Sequence, residues 1–446
     1  MLNTSNHTIP SQLAVSTSLI KCDDTSTTIG VNSTYQYNKE KKDCIKNAIM
    51  KKLKSATLNN ELGQDDSFCI LDLKQLYHQH QKWKCSFPRI QPFYAIKCNP
   101  DPKIIQYLTS LGFGFECISA FEMKKILSYG VDPSKVIFNH TCKPTSHIQY
   151  AVDHDIRKMT FDTIDELHKL KTFYPNVELL LRILTDDSKS QWGTGNKYGA
   201  NINYVDELLS TARNLNLNVV GISFHVGSGC LDIDIYQDAL KNARFVFDRA
   251  KSFGFDFNLL NMGGGFIEVF DNPKKPSFDQ IASVIQKTVD LMFPSNVQII
   301  ASPSRFYVTP TLTVCFQVVG RKILYNQPNK HNKTEHKKYM YYVNESLHAS
   351  FASRLLYCES PVDLKVLMKN GICVYHQDLK EQTYSSMVWG HTCEPGDCLA
   401  EDIKLPLLNI GDWLYTENMG SYIFANSQFC GFQRPTTIYI NSFCTD

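Results

Sequence analysis

Eight short apolar runs, separated by amphipathic stretches, dominate the middle of this 446-residue chain. Repeated alternation of strand and helix is typical of a closed parallel barrel, in which each strand is buried on both faces. Open doubly wound sheets usually have fewer strands and need a glycine-rich turn after the first one, which this chain lacks. The pattern therefore predicts an α/β fold with a (β/α)8 barrel. The predicted strands are YAIK at 94–97, FGFEC at 113–117, KVIFN at 135–139, MTFD at 159–162, ELLLRI at 178–183, VVGISFHV at 219–226, FNLLNMG at 257–263 and VQIIA at 297–301.

Beyond about residue 310 the helical periodicity disappears, and the sequence predicts a second, antiparallel β domain. Its strand-like segments are TLTVCFQVVGRKI, KYMYYVN, MVWG, GDWLYTE and TTIYI, with turn-forming residues between them. The run SFCILDL at 67–73 resembles these strands, so we expect it to join them. The expected organisation is a disordered tail rich in Ser, Thr and Asn (1–34), an N-terminal segment of the β domain (35–72), the barrel (73–311) and the C-terminal β domain (312–446).

Charge and cysteine content exclude several classes of function. The formal net charge of +2 is too small to indicate a nucleic-acid partner or an anionic membrane surface. The sequence has no long uncharged apolar span and no apolar signal core. Its fifteen cysteines lack the paired spacing of a metal site and are typical of reduced thiols. We therefore expect a cytoplasmic protein that acts on a small molecule, with no metal and no membrane or nucleic-acid partner.

The stretch QPFYAIKCNP at 91–100 places a lysine where such a barrel carries its chemistry. Phe93 to Lys97 favours a strand, and Asn99-Pro100 ends it because a residue before proline avoids the helical region. Catalytic side chains of barrel enzymes lie at the carboxyl ends of the strands. A lysine there is a candidate for Schiff-base formation with a carbonyl group. The alternative is an ordinary lysine that extends from the strand end into solvent.

Other candidate groups share this position at the predicted strand ends. A lysine, a carboxylate, a histidine and a glycine turn suit a phosphorylated carbonyl cofactor, because glycines let backbone N–H groups approach phosphate oxygens closely. Taken singly, the glycines are also explained by a tight turn, the histidine by a satisfied core position and Arg182 by a surface ion pair. The candidates are Lys97, Glu116, Arg182, His225, Gly263, Gly264, Gly265 and Arg305.

Seven motifs, in order along the chain, carry a family resemblance: PFYAIKCN, GFGFECISAFE, TDDSK, SFHVGSGC, GGGF, WGHTC and ENMGSY. The chain resembles eukaryotic ornithine decarboxylases from about residue 66 to about residue 438. The resemblance implies a fold-type III enzyme of polyamine biosynthesis that uses pyridoxal 5′-phosphate (PLP), with an alanine-racemase-like barrel followed by a β domain. Antizyme inhibitors, which bind the regulatory protein antizyme, belong to the same family.

The resemblance also implies a role for each candidate. Lys97 would form the Schiff base, with Glu116 near it where the family has an aspartate, and His225 would stack on the pyridine ring. Cys393 matches the cysteine that protonates the substrate carbanion. In the family this cysteine comes from the partner subunit, which implies a homodimer with shared active sites. Flanking charges would come from Arg182 and Lys197, and phosphate contacts from Ser228, Gly263, Gly264, Gly265, Arg305 and Tyr422.

Several positions depart from the family pattern. The family's EPGR is SPSR here, so Ser302 replaces the glutamate that pairs with the pyridinium nitrogen. A serine can hydrogen-bond only a neutral nitrogen, which should weaken carbanion stabilisation. Ser304 replaces a glycine and is expected to crowd the phosphate, and Asn261 replaces an aspartate before the glycine turn. The expected substrate contacts are Tyr357, Cys358 and Glu394, of which the last two replace the family's two aspartates.

Two functions remain open from the sequence. The first is an active decarboxylase with specificity altered away from ornithine and towards an apolar amino acid such as leucine, because Cys358 cannot pair with a distal ammonium group. Ornithine stays a candidate if Glu359 or Glu394 replaces the missing aspartate. The second is an inactive regulator that binds antizyme through the segment 139–160, which retains Lys143. We favour the enzyme, since drift after loss of the cofactor would not preserve the Schiff-base and phosphate groups together.

Overall fold

The computed structural model describes residues 31–441, apart from 60–62, 194, 196, 268–275, 326–336, 354–361, 425–426 and 428–430. Most of the predicted disordered tail, residues 1–30, lies outside the described part of the chain. Helix α1 (Val31–Asn59) begins at Val31 and so includes the last four positions of the predicted tail, 31–34. It is followed by strand β1 (Phe68–Asp72) and helix α2 (Lys74–Ser86). Ile45 and Ile49 of α1 are buried in one cluster with residues of β1.

The next eight strands form a closed parallel barrel, which confirms the fold that the alternating pattern predicts. Neighbouring strands pair in chain order, and the last strand pairs with the first. Their carboxyl ends, called here the barrel mouth, meet at one end of the structure. The strands are β2 (Ile90–Ala95), β3 (Gly114–Cys117), β4 (Val136–Phe138), β5 (Lys158–Phe161), β6 (Glu178–Arg182), β7 (Asn218–Ser223), β8 (Leu259–Asn261) and β9 (Gln298–Ala301).

Side chains from alternate strands fill the barrel lumen, which makes it a packed core and not a channel. One buried cluster contains Phe93, Ile137, Leu180 and Leu259, from β2, β4, β6 and β8. Gly114 is required on β3, because a Cβ atom there would lie 2.3 Å from the Phe93 ring. With the lumen filled, the chemistry must be carried by side chains at the strand ends.

A helix follows each barrel strand, so the strand–helix unit occurs eight times. Capping side chains fix where several of them begin. Asp101 accepts hydrogen bonds from the first turn of one helix, and Ser277 forms a capping box with Gln280 in another. The helices are α3 (Pro102–Ser110), α4 (Ala120–Leu127), α5 (Thr145–Asp153), α6 (Ile164–Phe173), α7 (Val205–Asn214), α8 (Ile233–Ser252), α9 (Phe278–Met292) and α10 (Ser304–Val308). None of the described helices is both long and apolar enough to cross a membrane.

The remaining strands form a second, mostly antiparallel sheet. β1 joins it, antiparallel to β10 and parallel to β17, and β11 is parallel to β14. These parallel pairs are possible because a long connection returns the chain to the same edge of its partner. The strands are β10 (Leu312–Tyr325), β11 (Lys337–Val343), β12 (Lys365–Lys369), β13 (Ile372–Cys373), β14 (Thr383–Trp389), β15 (Cys398–Pro406), β16 (Trp413–Thr416) and β17 (Thr436–Ile440).

Candidate active site at the barrel mouth

Lys97 lies in the turn that follows β2 at the barrel mouth. The strand ends at Ala95, two residues earlier than predicted, and Ile96–Cys98 forms a short 3-10 turn. The residues on either side of Lys97 are buried, whereas Lys97 itself is exposed. The C-terminal domain holds this turn, since the backbone N–H of Tyr422 donates to the carbonyl oxygen of Cys98 at 2.7 Å. The turn therefore presents the Lys97 amine to the surface of the single chain.

Asn261 connects two strands that do not pair with each other. This residue ends β8 and is completely buried. Its Nδ2 donates to Glu116 Oε1 on β3 at 2.8 Å, and its Oδ1 accepts the backbone N–H of Gly263 at 2.8 Å. Glu116 is also buried. The sequence identifies Asn261 only as a departure from the family, and nothing in the sequence indicates that it bonds to Glu116.

The hydrogen bonds continue from the glycine turn to β9 and β2. The backbone N–H of Ser302 donates to Gly263 O at 2.7 Å, and that of Ser304 donates to Ser302 O at 2.8 Å. Ser304 Oγ accepts the backbone N–H of Ala95 at 2.8 Å. The Ser304 hydroxyl is therefore directed to β2, and the crowding of a phosphate by a side chain at this position stays a prediction. The network reaches a point two residues before Lys97.

The glycine turn after β8 has a backbone that only glycine permits at two of its three positions. Gly263 has a φ of +61°, and a Cβ atom there would lie 2.2 Å from the carbonyl oxygen of Phe224. Gly265 has a φ of +113° and is crowded in the same way. At Gly264 a Cβ atom would lie 3.1 Å from Nε2 of His225. Glycine is therefore required here because residues 224–227 pack directly against the turn.

His225 follows β7 and faces the glycine turn as a neutral imidazole. Burial, supported by the positive charges of Arg182 and Lys97, lowers the pKa of His225 to about 3. Its Nδ1 accepts the backbone N–H of Gly227 at 2.9 Å, so the proton of the neutral ring lies on Nε2. The ring is thus fixed in one tautomer and orientation, with its protonated edge towards Gly264.

Arg305 lies between two aromatic rings. Its Cζ is 4.3 Å from the centre of the Trp192 ring and 4.5 Å from that of Tyr422. Trp192 is held by two backbone hydrogen bonds with Ser228, of 2.8 and 3.1 Å. Trp192 therefore links Ser228 to Arg305, and Arg305 in turn contacts Tyr422, so that three of the predicted phosphate-binding residues lie in one series of contacts. Trp192 is not among the predicted site residues, although a single tryptophan in an otherwise polar, glycine-containing loop is a detectable signal.

Arg182 and Lys197 flank the same mouth and both contact Tyr198. The guanidinium carbon of Arg182 is 4.9 Å from the Tyr198 ring centre, and Lys197 Nζ is 5.0 Å from it. Burial lowers the pKa of Arg182, an effect that the nearby carboxylates of Asp162 and Glu116 oppose. Arg182 therefore supplies positive charge near the buried carboxylates of Asp162 and Glu116.

Cys393 and Glu394 are not brought against Lys97 by any contact among the described residues. Both are exposed in the loop between β14 and β15. Asp397, which is buried, shapes this loop by accepting the backbone N–H of Thr392 at 3.0 Å. The two other expected substrate residues, Tyr357 and Cys358, lie outside the described part of the chain, as does Glu359.

Lys143 is an internal structural residue. Its side chain has no exposed surface, and its Nζ lies 2.8 Å from Glu166 Oε1. The same ammonium donates to the carbonyl oxygens of Thr160 and His140, at 2.7 and 3.1 Å. The second oxygen of Glu166 is 2.6 Å from Lys169 Nζ. A side chain with these partners is not available to a docking protein, so Lys143 cannot serve as the surface contact suggested by the resemblance.

The residues at the mouth fit pyridoxal 5′-phosphate. An exposed lysine amine suits the carbonyl carbon, and the backbone N–H groups of Gly264 and Gly265 together with the Arg305 guanidinium suit a phosphate. Ser302 Oγ is buried and has no hydrogen-bond partner among the residues that the structure describes. A buried hydroxyl without a partner can donate a hydrogen bond to a neutral ring nitrogen of the cofactor. The neutral imidazole of His225 can stack on the face of the cofactor's aromatic ring.

Comparison with known proteins gives consistent matches. The family described as "Pyridoxal-dependent decarboxylase, pyridoxal binding domain" matches residues 73–309. Ornithine decarboxylase of Schizosaccharomyces pombe is 38% identical over 402 residues, which cover 90% of this chain and 89% of that protein. Antizyme inhibitor 2 of Xenopus laevis is 39% identical over 387 residues, covering 85% and 83%. The structure of the Paramecium bursaria Chlorella virus arginine decarboxylase bound to agmatine is 31% identical, has a TM-score of 0.78, and covers 89% of this chain and 100% of that one.

Proposed function

Because the chain belongs to the family of pyridoxal-dependent decarboxylases, in the branch of ornithine decarboxylase and antizyme inhibitor, we propose that it decarboxylates an amino acid at the barrel mouth. Its cofactor is pyridoxal 5′-phosphate and its reaction class is that of a carboxy-lyase. The observation that supports this site is the hydrogen-bond network that runs from Glu116 through Asn261 and the glycine turn to Ala95, at the end of the strand that precedes Lys97.

When bound, pyridoxal 5′-phosphate accepts the electron pair that remains on the substrate's α-carbon after carbon dioxide leaves. Lys97 would bind it covalently, and the backbone N–H groups of Gly264 and Gly265 would hold the phosphate together with Arg305, since the Gly263 N–H is donated to Asn261. The Ser302 hydroxyl would donate to the ring nitrogen, which stays uncharged because serine cannot act as a counter-ion. His225 would contact the ring as a neutral imidazole, since its pKa of about 3 keeps it unprotonated at neutral pH.

We propose that Cys393 reaches this mouth from a second copy of the chain. The proposal rests on its exposed position in the β14–β15 loop and on the absence of a described contact with Lys97 in one chain. The loop is held from within by Asp397, so it can present Cys393 outwards without reorganising. The functional unit would then be a homodimer with two shared sites.

The substrate proposal depends on the distal end of the amino acid. The arginine decarboxylase to which this chain is similar is bound to agmatine, which carries a positive charge at that end. In this chain a cysteine stands at 358, and the remaining carboxylate, Glu394, is exposed in the single chain. Loss of one partner of a buried charge pair costs roughly 2–5 kcal/mol, or about 30- to several-thousand-fold in affinity. We therefore propose a specificity shifted from ornithine towards an apolar amino acid of similar length, such as leucine.

The test is carbon dioxide release by the PLP-loaded protein from ornithine, lysine, arginine, leucine and methionine. We expect weak or absent release from ornithine and higher release from leucine. Cys358→Asp should reverse the order, whereas Cys373→Asp is a control that adds the same charge in β13. Efficient turnover of ornithine with inert apolar substrates would leave a decarboxylase but would contradict the specificity proposal.

A regulator that binds antizyme is the second candidate, and the similarity to antizyme inhibitor 2 favours it. The buried position of Lys143 counts against one of its expected contacts, although other residues of 139–160 are exposed. The visible absorbance of protein purified with PLP, together with binding to immobilised antizyme, separates the two candidates. Antizyme binding by a colourless protein that releases no carbon dioxide would favour the regulator.

A further inference from the structure

The bond between Asn261 and Glu116 crosses the barrel mouth. In the closed barrel the strand order on this side is β3, β2, β9, β8, so two strands separate the one that carries Glu116 from the one that ends in Asn261. No backbone hydrogen bond joins β3 to β8. The side-chain hydrogen bond of 2.8 Å therefore links two separated parts of the rim directly. The two strands between them are β2, which is followed by Lys97, and β9, which is followed by Ser302.

Asparagine is suited to this position because its amide can donate and accept at the same time. Nδ2 donates to the Glu116 carboxylate, and Oδ1 accepts the Gly263 N–H. An ionised aspartate has acceptors only, so in this chain, where the longer Glu116 replaces the family's aspartate and reaches residue 261 at 2.8 Å, it would place a second carboxylate directly against the first in a buried site. Both side chains are buried, at 0% and 6% exposure, so water would screen that repulsion poorly.

Asn261 also controls the two groups that the proposed function places against the cofactor. Its Oδ1 fixes the N–H of the first glycine in the turn, and the carbonyl of that glycine fixes Ser302. Its Nδ2 fixes the buried carboxylate of Glu116. A single side chain thus sets the phosphate end, the ring-nitrogen end and the buried charge relative to one another.

From these contacts we infer that Asn261 is a positioning residue, matched to Glu116, that holds the glycine turn and the Glu116 carboxylate as one unit for cofactor binding. The inference rests on the proposed function in placing the cofactor at this mouth. The pairing of Asn261 with Glu116 is a contact within the protein and does not depend on the proposed function.

The test is a double-mutant cycle with Asn261→Asp, Glu116→Gln and the double variant. In the double variant the introduced glutamine donates to the introduced aspartate, whose other oxygen accepts the Gly263 N–H, so both hydrogen bonds are restored with the same total charge. PLP affinity is measured by titrating the apo protein, and apo-protein stability by thermal unfolding. Asn218→Asp, at the exposed start of β7, is the matched control for the added charge.

We expect Asn261→Asp to lower PLP affinity about tenfold or more and to lower the unfolding temperature of the apo protein. The double variant should recover most of both losses, and Asn218→Asp should change neither. Equal behaviour of Asn261→Asp and Asn218→Asp would overturn the inference, as would a double variant no better than Asn261→Asp. If Asn261→Asp does not fold, a folded double variant supports the pairing and an unfolded one overturns it.

These outcomes are independent of the substrate. If the wild-type protein binds PLP but decarboxylates none of the amino acids tested, the proposed function fails while the cycle still reports on the pairing. If the kinetic parameters are measurable, a positioning role predicts that Asn261→Asp at saturating PLP lowers kcat more than it raises KM. A purely structural role would lower the stability of the protein and leave both kcat and KM of the folded, PLP-saturated enzyme unaltered.

Discussion

Ser302→Ala should have opposite effects on the apo protein and on cofactor binding. The backbone of Ser302 is held on both sides, by its N–H to Gly263 O and by its carbonyl to the N–H of Ser304. Its hydroxyl is buried and has no hydrogen-bond partner in the described part of the chain. Removing it breaks no described protein hydrogen bond, so the apo protein should be equally stable or more stable by up to about 1 kcal/mol.

Cofactor binding should weaken in the same variant, because the proposed role of the hydroxyl is to donate to the ring nitrogen. A neutral hydrogen bond contributes about 0.5–1.5 kcal/mol, which corresponds to about a 2- to 12-fold loss of PLP affinity. The assay is titration of the apo protein with PLP, followed by absorbance, alongside thermal unfolding of the apo form.

Ser304→Ala is the matched control two residues away. Its hydroxyl accepts the Ala95 N–H at 2.8 Å, so its removal should destabilise the apo protein by about 1 kcal/mol. The role assigned to the Ser302 hydroxyl is refuted if Ser302→Ala destabilises the apo protein as much as Ser304→Ala does. It is equally refuted if Ser302→Ala leaves PLP affinity unchanged.

Three further predictions concern the fold, the dimer and pH. Lys143→Met should lower the free energy of unfolding by about 3 kcal/mol, because it removes one member of the buried ion pair with Glu166. Lys169 pairs with the same glutamate but is partly exposed, so Lys169→Met should lower the free energy of unfolding by about 1 kcal/mol or less; equal effects of the two substitutions would contradict this. Mixing inactive Lys97→Ala and Cys393→Ala chains should restore part of the activity, and no recovery after proven subunit exchange would argue against shared sites. Because burial lowers the pKa of His225 to about 3, the unfolded chain binds the proton first, so this residue's contribution to stability is complete above about pH 6.5 and is lost as the pH falls towards 3. Between pH 6 and 4 the free energy of unfolding of the wild type should therefore fall by up to about 1.4 kcal/mol per pH unit more than that of His225→Gln. The free energies are measured by denaturant unfolding at each pH, and the same pH dependence in both proteins would contradict a buried, neutral His225.

The sequence predicts the barrel well because its signal is local. Each strand is a short apolar run, and each helix has its own periodicity and cap, as at Asp101 and Ser277. The candidate residues at strand ends follow from the same argument, since parallel strands of one barrel all end at one mouth. Errors at single strand ends, such as the strand that stops at Ala95 and not at Lys97, arise because Lys97 has no pairing partner to extend the ladder.

Contacts between distant residues could not be predicted in this way. Asn261 and Glu116 are 145 positions apart, and Ser304 and Ala95 are 209 apart. A hydroxyl such as that of Ser304 has several possible directions, and only the fold decides which one it takes. Lys143 illustrates the same limit, because a lysine in a polar segment is usually exposed and only the position of Glu166 explains its burial.

The identity of the residue that binds the cofactor tests most directly whether the barrel mouth is the active site. Borohydride reduction of the PLP-loaded protein, followed by peptide mapping, should place the pyridoxyl group on Lys97. Lys97→Ala should abolish the adduct, and Lys103→Ala, on the neighbouring helix α3, should leave it unchanged. An adduct on another lysine, or none on protein that holds stoichiometric PLP, would contradict the account of the barrel mouth as the active site.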